Sequence, residues 1–132
     1  MKRPTVGIAT DAAHSTKYKQ TSYRGVILPD NIEVFKNHIG NKTVNIGEFL
    51  GLVAAVKYII ENDFMPKTIY TDSLTAITWF RNKKAASKKI YPELEKAEVY
   101  LKIMAEQVKQ IQVLHWDNNL WGEIPADFGN KK

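Results

Sequence analysis

Four acidic residues stand where a folded chain could gather them. Asp11 closes the short β-branched stretch Thr5–Asp11, and Asp72 closes a second, Thr68–Asp72, just ahead of Ser73 and a helix-like run. Glu48 lies at the opening of an apolar stripe of helical period, and Asp127 lies in the last short segment. If the two stretches are central parallel strands, their C-terminal ends lie side by side, where open α/β sheets place their sites. Carboxylates brought that close repel, and a divalent cation is the usual remedy. No histidine or cysteine accompanies them, so the donor set is oxygen only, which selects magnesium or manganese over zinc. Two such ions, about 4 Å apart, can clamp the attacking and leaving oxygens of a phosphodiester displacement.

Each acid also has a plainer reading. Asp72 before Ser73 can belong to a helix cap, and Glu48 can close a capping box opened by Asn45. Asp11 is a common turn residue, and Asp127 taken alone is a surface aspartate. Their joint placement favours the chemistry.

The elements that must position them follow from periodicity. After Asp11 comes a polar loop, His14 to Gln20; then Ser22–Leu28 and Ile32–Ile39 flank Pro29-Asp30-Asn31, which predicts an antiparallel hairpin. From Asn45 onward Phe49, Leu52, Val53, Val56, Ile59 and Ile60 recur at helical spacing, ending near Asn62 and Pro66. Ser73 is placed to cap a helix from Leu74 to about Phe80. Pro92 opens a long helix whose apolar face is Leu94, Ala97, Leu101, Met104 and Val108, and Gln110–Trp116 is a last strand. An irregular stretch, 117–122, precedes the segment of Asp127. The strand–helix–strand half demands a parallel pair with a right-handed crossover. The expected architecture is α/β, a mixed five-stranded sheet with helices packed on it, as a single domain over residues 1–132.

Composition narrows the partners. With no cysteine, disulfides, thiolate metal sites and cysteine nucleophiles are excluded, and a reducing, cytoplasmic setting is expected. The opening Met1-Lys2-Arg3-Pro4 leads into a strand pattern rather than a signal-peptide core. The most apolar run, Phe49 to Val56, contains Gly51 and is closed by Lys57, so no membrane partner is expected. The formal charge is +5, from 19 basic and 14 acidic residues. Removing Arg81, Lys83, Lys84, Lys88 and Lys89 leaves 14 of each, so the whole excess sits in one short segment. Such clustering is the footprint of a polyanion, and its plainer reading is a solvated linker.

On its first strand ending in Asp11, on Thr43-Val44-Asn45-Ile46-Gly47-Glu48-Phe49-Leu50, on Tyr70-Thr71-Asp72-Ser73 and on Ala126-Asp127, the chain resembles the type 1 ribonucleases H. These enzymes cut the RNA strand of RNA–DNA hybrids. The likeness runs over nearly the whole chain; none of the motifs is specific alone, but their order and separations together are. The resemblance implies a ribonuclease H-like sheet of order 3-2-1-4-5 with strand 2 antiparallel. It also implies a site for two magnesium ions (manganese as substitute) made by Asp11, Glu48, Asp72 and Asp127, and a nucleic-acid contact at Asn45. A hybrid displays 2′-hydroxyls on one strand only of a wide minor groove, which lets a protein choose the RNA. Ser15, Thr43 and Ser73 have the size to bond sugars and phosphates near the acids. Arg81, Lys83 and Lys84, with Lys88 and Lys89, would grip phosphates of the DNA strand. This segment is shorter than the basic protrusion of some family members.

Two departures stand out. Family members usually follow the first aspartate with glycine and a small hydroxyl residue, whereas Ala12-Ala13 here predicts a different path. Many also carry a mobile histidine in the loop before the last aspartate, and 117–122 holds none. His14, Glu123 and Trp121 are further candidates near the site; Trp79 is expected in the core and His115 in a structural or surface role. Two other readings stay open: a non-catalytic nucleic-acid-binding module on the same fold, and a DNA-directed nuclease of the resolvase or transposase kind. A cluster of acids facing phosphates is of no use to the first, and the hairpin and the Thr43–Glu48 helix opening weigh against the second. A monomer is expected.

Overall fold

Residues 2–128 are described by a computed structural model. The chain runs β1 (Gly7–Ser15), β2 (Gln20–Leu28), β3 (Ile32–His38), α1 (Val44–Asn62), β4 (Thr68–Thr71), α2 (Leu74–Asn82), α3 (Pro92–Ile103), α4 (Ala105–Val108), β5 (Gln112–His115) and α5 (Asn118–Trp121). The strands form one sheet of order β3-β2-β1-β4-β5. β2 is antiparallel to both neighbours, while β1, β4 and β5 are parallel, as the strand–helix–strand half requires. This is the ribonuclease H-like arrangement expected from the sequence.

β1 is apolar on both faces because both faces are covered. Ile8 and Ala12 pack with α1, α2 and α3 on one side. Ala9 packs on the other with Val26, Leu28, Trp116, Ile124 and Ala126, so the segment after β5 folds back over the second face. Trp79 lies in the helix-side core, edge-on to Phe49 at 5.8 Å between ring centroids, as its helical spacing predicts. No helix among the described residues is long and apolar enough to cross a membrane.

Three expectations need correction. First, β1 does not end at Asp11. Its pairing with β4 stops at Thr10↔Thr71, but its ladder with β2 continues to Ser15↔Gln20, so the expected loop shrinks to a turn at 16–19. Ala12 and Ala13 take the extended backbone that a residue with a Cβ prefers over a left-handed turn. Second, Asn45 does not cap α1. Thr43 does, its hydroxyl accepting from the Ile46 N–H, so Asn45 lies in the first turn and no Asn45–Glu48 capping box forms. Third, the helix from Pro92 is interrupted at Met104 (φ −93°, ψ 24°), although Leu94, Ala97, Leu101 and Val108 on both sides of the break remain buried.

α1 is the helix against which the sheet is packed, and each of its fully buried Phe, Leu or Ile side chains contributes about 1.5–3 kcal/mol. Its closeness to β1 and β2 depends on small residues. A Cβ on Gly47 would lie 2.8 Å from Thr21 Cγ2 and 3.0 Å from Ala12 Cβ, and one on Gly51 would lie 3.1 Å from Tyr23 Cβ. Gly47→Ala is therefore expected to lower the melting temperature. Overpacking of about 1–3 kcal/mol outweighs a helix-propensity gain of about 1 kcal/mol. An unchanged or raised melting temperature would show that α1 is not held against β1 at this point.

Candidate active site

Asp11 is the first β1 residue beyond the last pair with β4, and Asp72 is the first residue after β4, so the parallel register sets the two side by side. The plainer role for Asp72 goes elsewhere: Ser73 caps α2, its hydroxyl accepting from the Ala76 N–H at 3.0 Å. The Ser73 N–H in turn donates to Thr71 Oγ1 at 3.1 Å, which fixes the chain on either side of Asp72. Glu48 comes from the second turn of α1, directly after Gly47, where the helix lies closest to Ala12.

The three carboxylates meet. Asp11, Glu48 and Asp72 each offer an oxygen within 4.8 Å of the others. Asp11 is 2% exposed, Glu48 is 9% exposed and Asp72 is half-buried. Three carboxylates so close, two of them nearly buried, favour a cation among them. The donors are hard oxygens without nitrogen or sulfur, which fits magnesium or manganese. Asp127 is half-buried, and among the described residues it lies outside this mutual 4.8 Å group. Its N–H donates to the Ile124 carbonyl at 2.8 Å, between the buried Ala126 and the half-buried Phe128.

One positioning contact has no sequence signal. Asn118 Nδ2 donates to Asp72 Oδ2 at 2.9 Å, while Asn118 Oδ1 accepts from the Ile124 N–H at 3.1 Å. A single amide thus orients one acid of the cluster and ties down the segment that leads to Asp127. The stretch expected to be irregular is the short helix α5, capped by Asp117, whose carboxylate accepts from the Asn119 and Leu120 N–H groups. Trp121 packs edge-on to Trp116, 5.3 Å between centroids, with its indole Nε1 buried, so its ring serves the fold here.

The other candidates fall into two groups. Thr43, Asn45 and Ser73 sit at the openings of α1 and α2, beside the acids; Asn45 is exposed and three residues from Glu48, on the same side of the helix. Ser15 accepts from the Tyr18 N–H in the β1–β2 turn, about 13 Å along an extended strand from Asp11, and lines the groove that also touches Ala12, Val44 and Phe128. His14 is exposed and hydrogen-bonded to Asn41 at 2.8 Å; His115 is exposed on β5; Glu123 is exposed ahead of Ile124. The basic segment begins at the far end of α2, about 13 Å from Asp72 by the rise of a nine-residue helix. Arg81 is exposed, Lys83 is the left-handed C-cap, and Lys84 is 3.8 Å from Glu98.

Further cations lie closer to the acids. Arg24 opposes Asp11 in the antiparallel ladder, and Lys36 opposes Arg24, which places all three side chains on one face of the sheet. A groove of about 890 Å³ opens beside them, with Ala12, Ser22, Lys36, His38, Val44 and Phe128 among its walls.

No family model matches the chain. Among solved structures it is similar to RNase H1 from the halophilic archaeon Halobacterium salinarum NRC-1, at 20% identity over 87% of each chain with a TM-score of 0.54. It is also similar to LC11-RNase H1 in complex with an RNA/DNA hybrid, a protein isolated from compost by a metagenomic approach, at 16% identity over 86% of each chain with a TM-score of 0.56. A third similar structure is the prototype foamy virus protease–reverse transcriptase, at 17% identity; the match spans 88% of this chain, 18% of the viral one, with a TM-score of 0.54. The shared property is the ribonuclease H-like fold.

The charge cluster makes a prediction that needs no substrate. At an effective dielectric constant near 20, two unit charges at the 4.8 Å limit repel by about 3 kcal/mol. Glu48→Gln removes one charge at nearly constant volume. Its melting temperature in chelator is expected to rise by several degrees, and the stabilisation that manganese gives the unaltered protein is expected to shrink. A fall in chelator with an undiminished manganese response would mean the carboxylates do not act as one charged site.

Proposed function

We propose that this chain is a divalent-metal-dependent endoribonuclease that hydrolyses the RNA strand of RNA–DNA hybrids. The observation that carries the reading is the meeting of Asp11, Glu48 and Asp72 within 4.8 Å at the C-terminal edge of the parallel strands of a ribonuclease H-like sheet. The hybrid bound in the LC11-RNase H1 structure supports the substrate class.

In this reading Asp11, Glu48 and Asp72 hold magnesium, with Asp127 as the fourth ligand when two ions are bound and manganese as a substitute. A divalent ion held there would supply Lewis acidity, lowering the pKa of a water and offsetting charge on phosphodiester oxygens. The chain's own groups do the rest. Asn118 holds the Asp72 carboxylate in place. Thr43 and Ser73 each accept a helix N–H, which leaves the hydroxyl proton to donate to a phosphate or sugar oxygen. The openings of α1 and α2 bring unpaired backbone N–H groups and positive dipole ends to the same side, where a phosphate fits. Asn45, exposed on the first turn of α1, reaches the minor groove, whose 2′-hydroxyls mark the RNA strand. Arg81, Lys83 and Lys84 lie one helix length away and hold backbone phosphates through charge alone. The protein acts as a single-domain monomer in a reducing, cytoplasmic setting that accords with its lack of cysteine.

The test is to incubate the protein with labelled RNA–DNA hybrid, RNA duplex and DNA duplex, each with magnesium, manganese or chelator. Cleavage confined to the RNA of the hybrid and abolished by chelator is expected. Asp72→Asn should lower the cleavage rate by at least about 10²-fold, the scale of losing a group aimed at transition-state charge, with hybrid binding largely kept. Binding without cleavage under either metal would favour the non-catalytic module, and cleavage of DNA would keep the metal site and overturn the substrate.

A further inference from the structure

We propose that Phe128 is a positioning residue for Asp127, acting as a ring clasped by Arg24 and Lys36 that fixes the last segment over the Asp11 side of the acid cluster. The proposal rests on the nuclease reading for the role of Asp127. The clasp itself is geometric.

Asp127 sits between two anchors. On one side Ile124 and Ala126 are buried against Ala9 and Val26 of the sheet. On the other side the Phe128 ring has the Arg24 guanidinium 5.8 Å and the Lys36 ammonium 5.4 Å from its centroid. Arg24 and Lys36 stand in register with Asp11 across three strands. The ring they hold therefore lies over the same sheet face as the Asp11 carboxylate.

The lower half of the clasp is itself built. The β2–β3 register steps by one between Gly25↔Phe35 and Val26↔Glu33, so Val34 is an extra residue. That bulge turns Glu33 onto the face of Arg24, and its Oε2 lies 3.3 Å from Arg24 Nε. The Arg24 side chain is 20% exposed. A guanidinium held from behind by a carboxylate presents its plane to an aromatic face at little further entropic cost. Two such cation–ring contacts favour the docked segment by about 5- to 30-fold.

The experiment uses the full-length protein in four forms beside the wild type: Phe128→Leu, Phe128→Trp, Asp127→Asn and the Phe128→Leu/Asp127→Asn double variant. Manganese affinity is measured by calorimetry without substrate, and kcat and KM for hybrid cleavage are measured separately. Phe128→Leu keeps an apolar side chain but loses the ring. It is expected to weaken manganese binding and lower kcat by about 5- to 30-fold with KM unchanged, and Phe128→Trp is expected to restore both. The double variant should be no worse than Asp127→Asn alone, because Phe128 acts only through its neighbour.

Equal losses from Phe128→Leu with and without the Asp127 carboxylate would overturn the proposal, as would a raised KM at intact kcat, which would make Phe128 a substrate contact. Lys36→Met tests the clasp from the other side without touching the segment. Removing a nearby positive charge tightens manganese binding by simple Coulomb attraction, so weaker binding supports the clasp, whereas tighter or unchanged binding overturns it. If the wild type cleaves no hybrid, the nuclease reading fails, and the manganese affinities still decide whether Phe128 positions Asp127.

Discussion

The mutual repulsion of Asp11, Glu48 and Asp72 is the constraint around which the molecule is arranged. Oxygens within 4.8 Å of one another, two of them on nearly buried side chains, would separate if the elements carrying them were free to move. They are not free. Asp11 is locked into a central strand paired on both sides, Asp72 follows a strand whose exit is fixed by Ser73, and Glu48 is carried by the most deeply packed helix. Packing over the whole helix side of the sheet offsets the local cost, and the cluster keeps an affinity for positive charge. A binding site for a cation is thus the counterpart of a rigid core.

Much of this was legible in the chain because local signals and tertiary structure agree. β-branched stretches ending in acid marked Asp11 and Asp72, the stripe from Phe49 to Ile59 marked α1, and Ser73 acted as the cap its position suggested. Where two local choices were equally good, the reading went astray. Thr43 and Asn45 are both competent caps two residues apart, and the apolar stripe reads the same from either; starting at Val44 buries Ile46. Likewise nothing local says that β1 continues past Asp11, because β2 supplies that ladder.

Other features had no local signal at all. Asn118 is one polar residue in an apparently irregular stretch, and its role exists only because Asp72 and Ile124 are brought to its two ends. The Arg24–Lys36–Phe128 group joins residues from both ends of the chain, and it depends on a bulge that alternation along β3 does not announce.

The extra residue at Val34 has a consequence beyond Arg24. β3 forms one border of the sheet and β5 the other, and a border strand presents unpaired N–H and C=O groups to any passing chain. A flat, apolar border would template stacking of one molecule on the next. Here the bulge breaks the regular spacing of those groups, Glu33 and Lys36 place opposite charges along the same strand, and β5 is only four residues long. The irregularity that seats one side chain near the acids also leaves the sheet a poor seed for self-propagating aggregation.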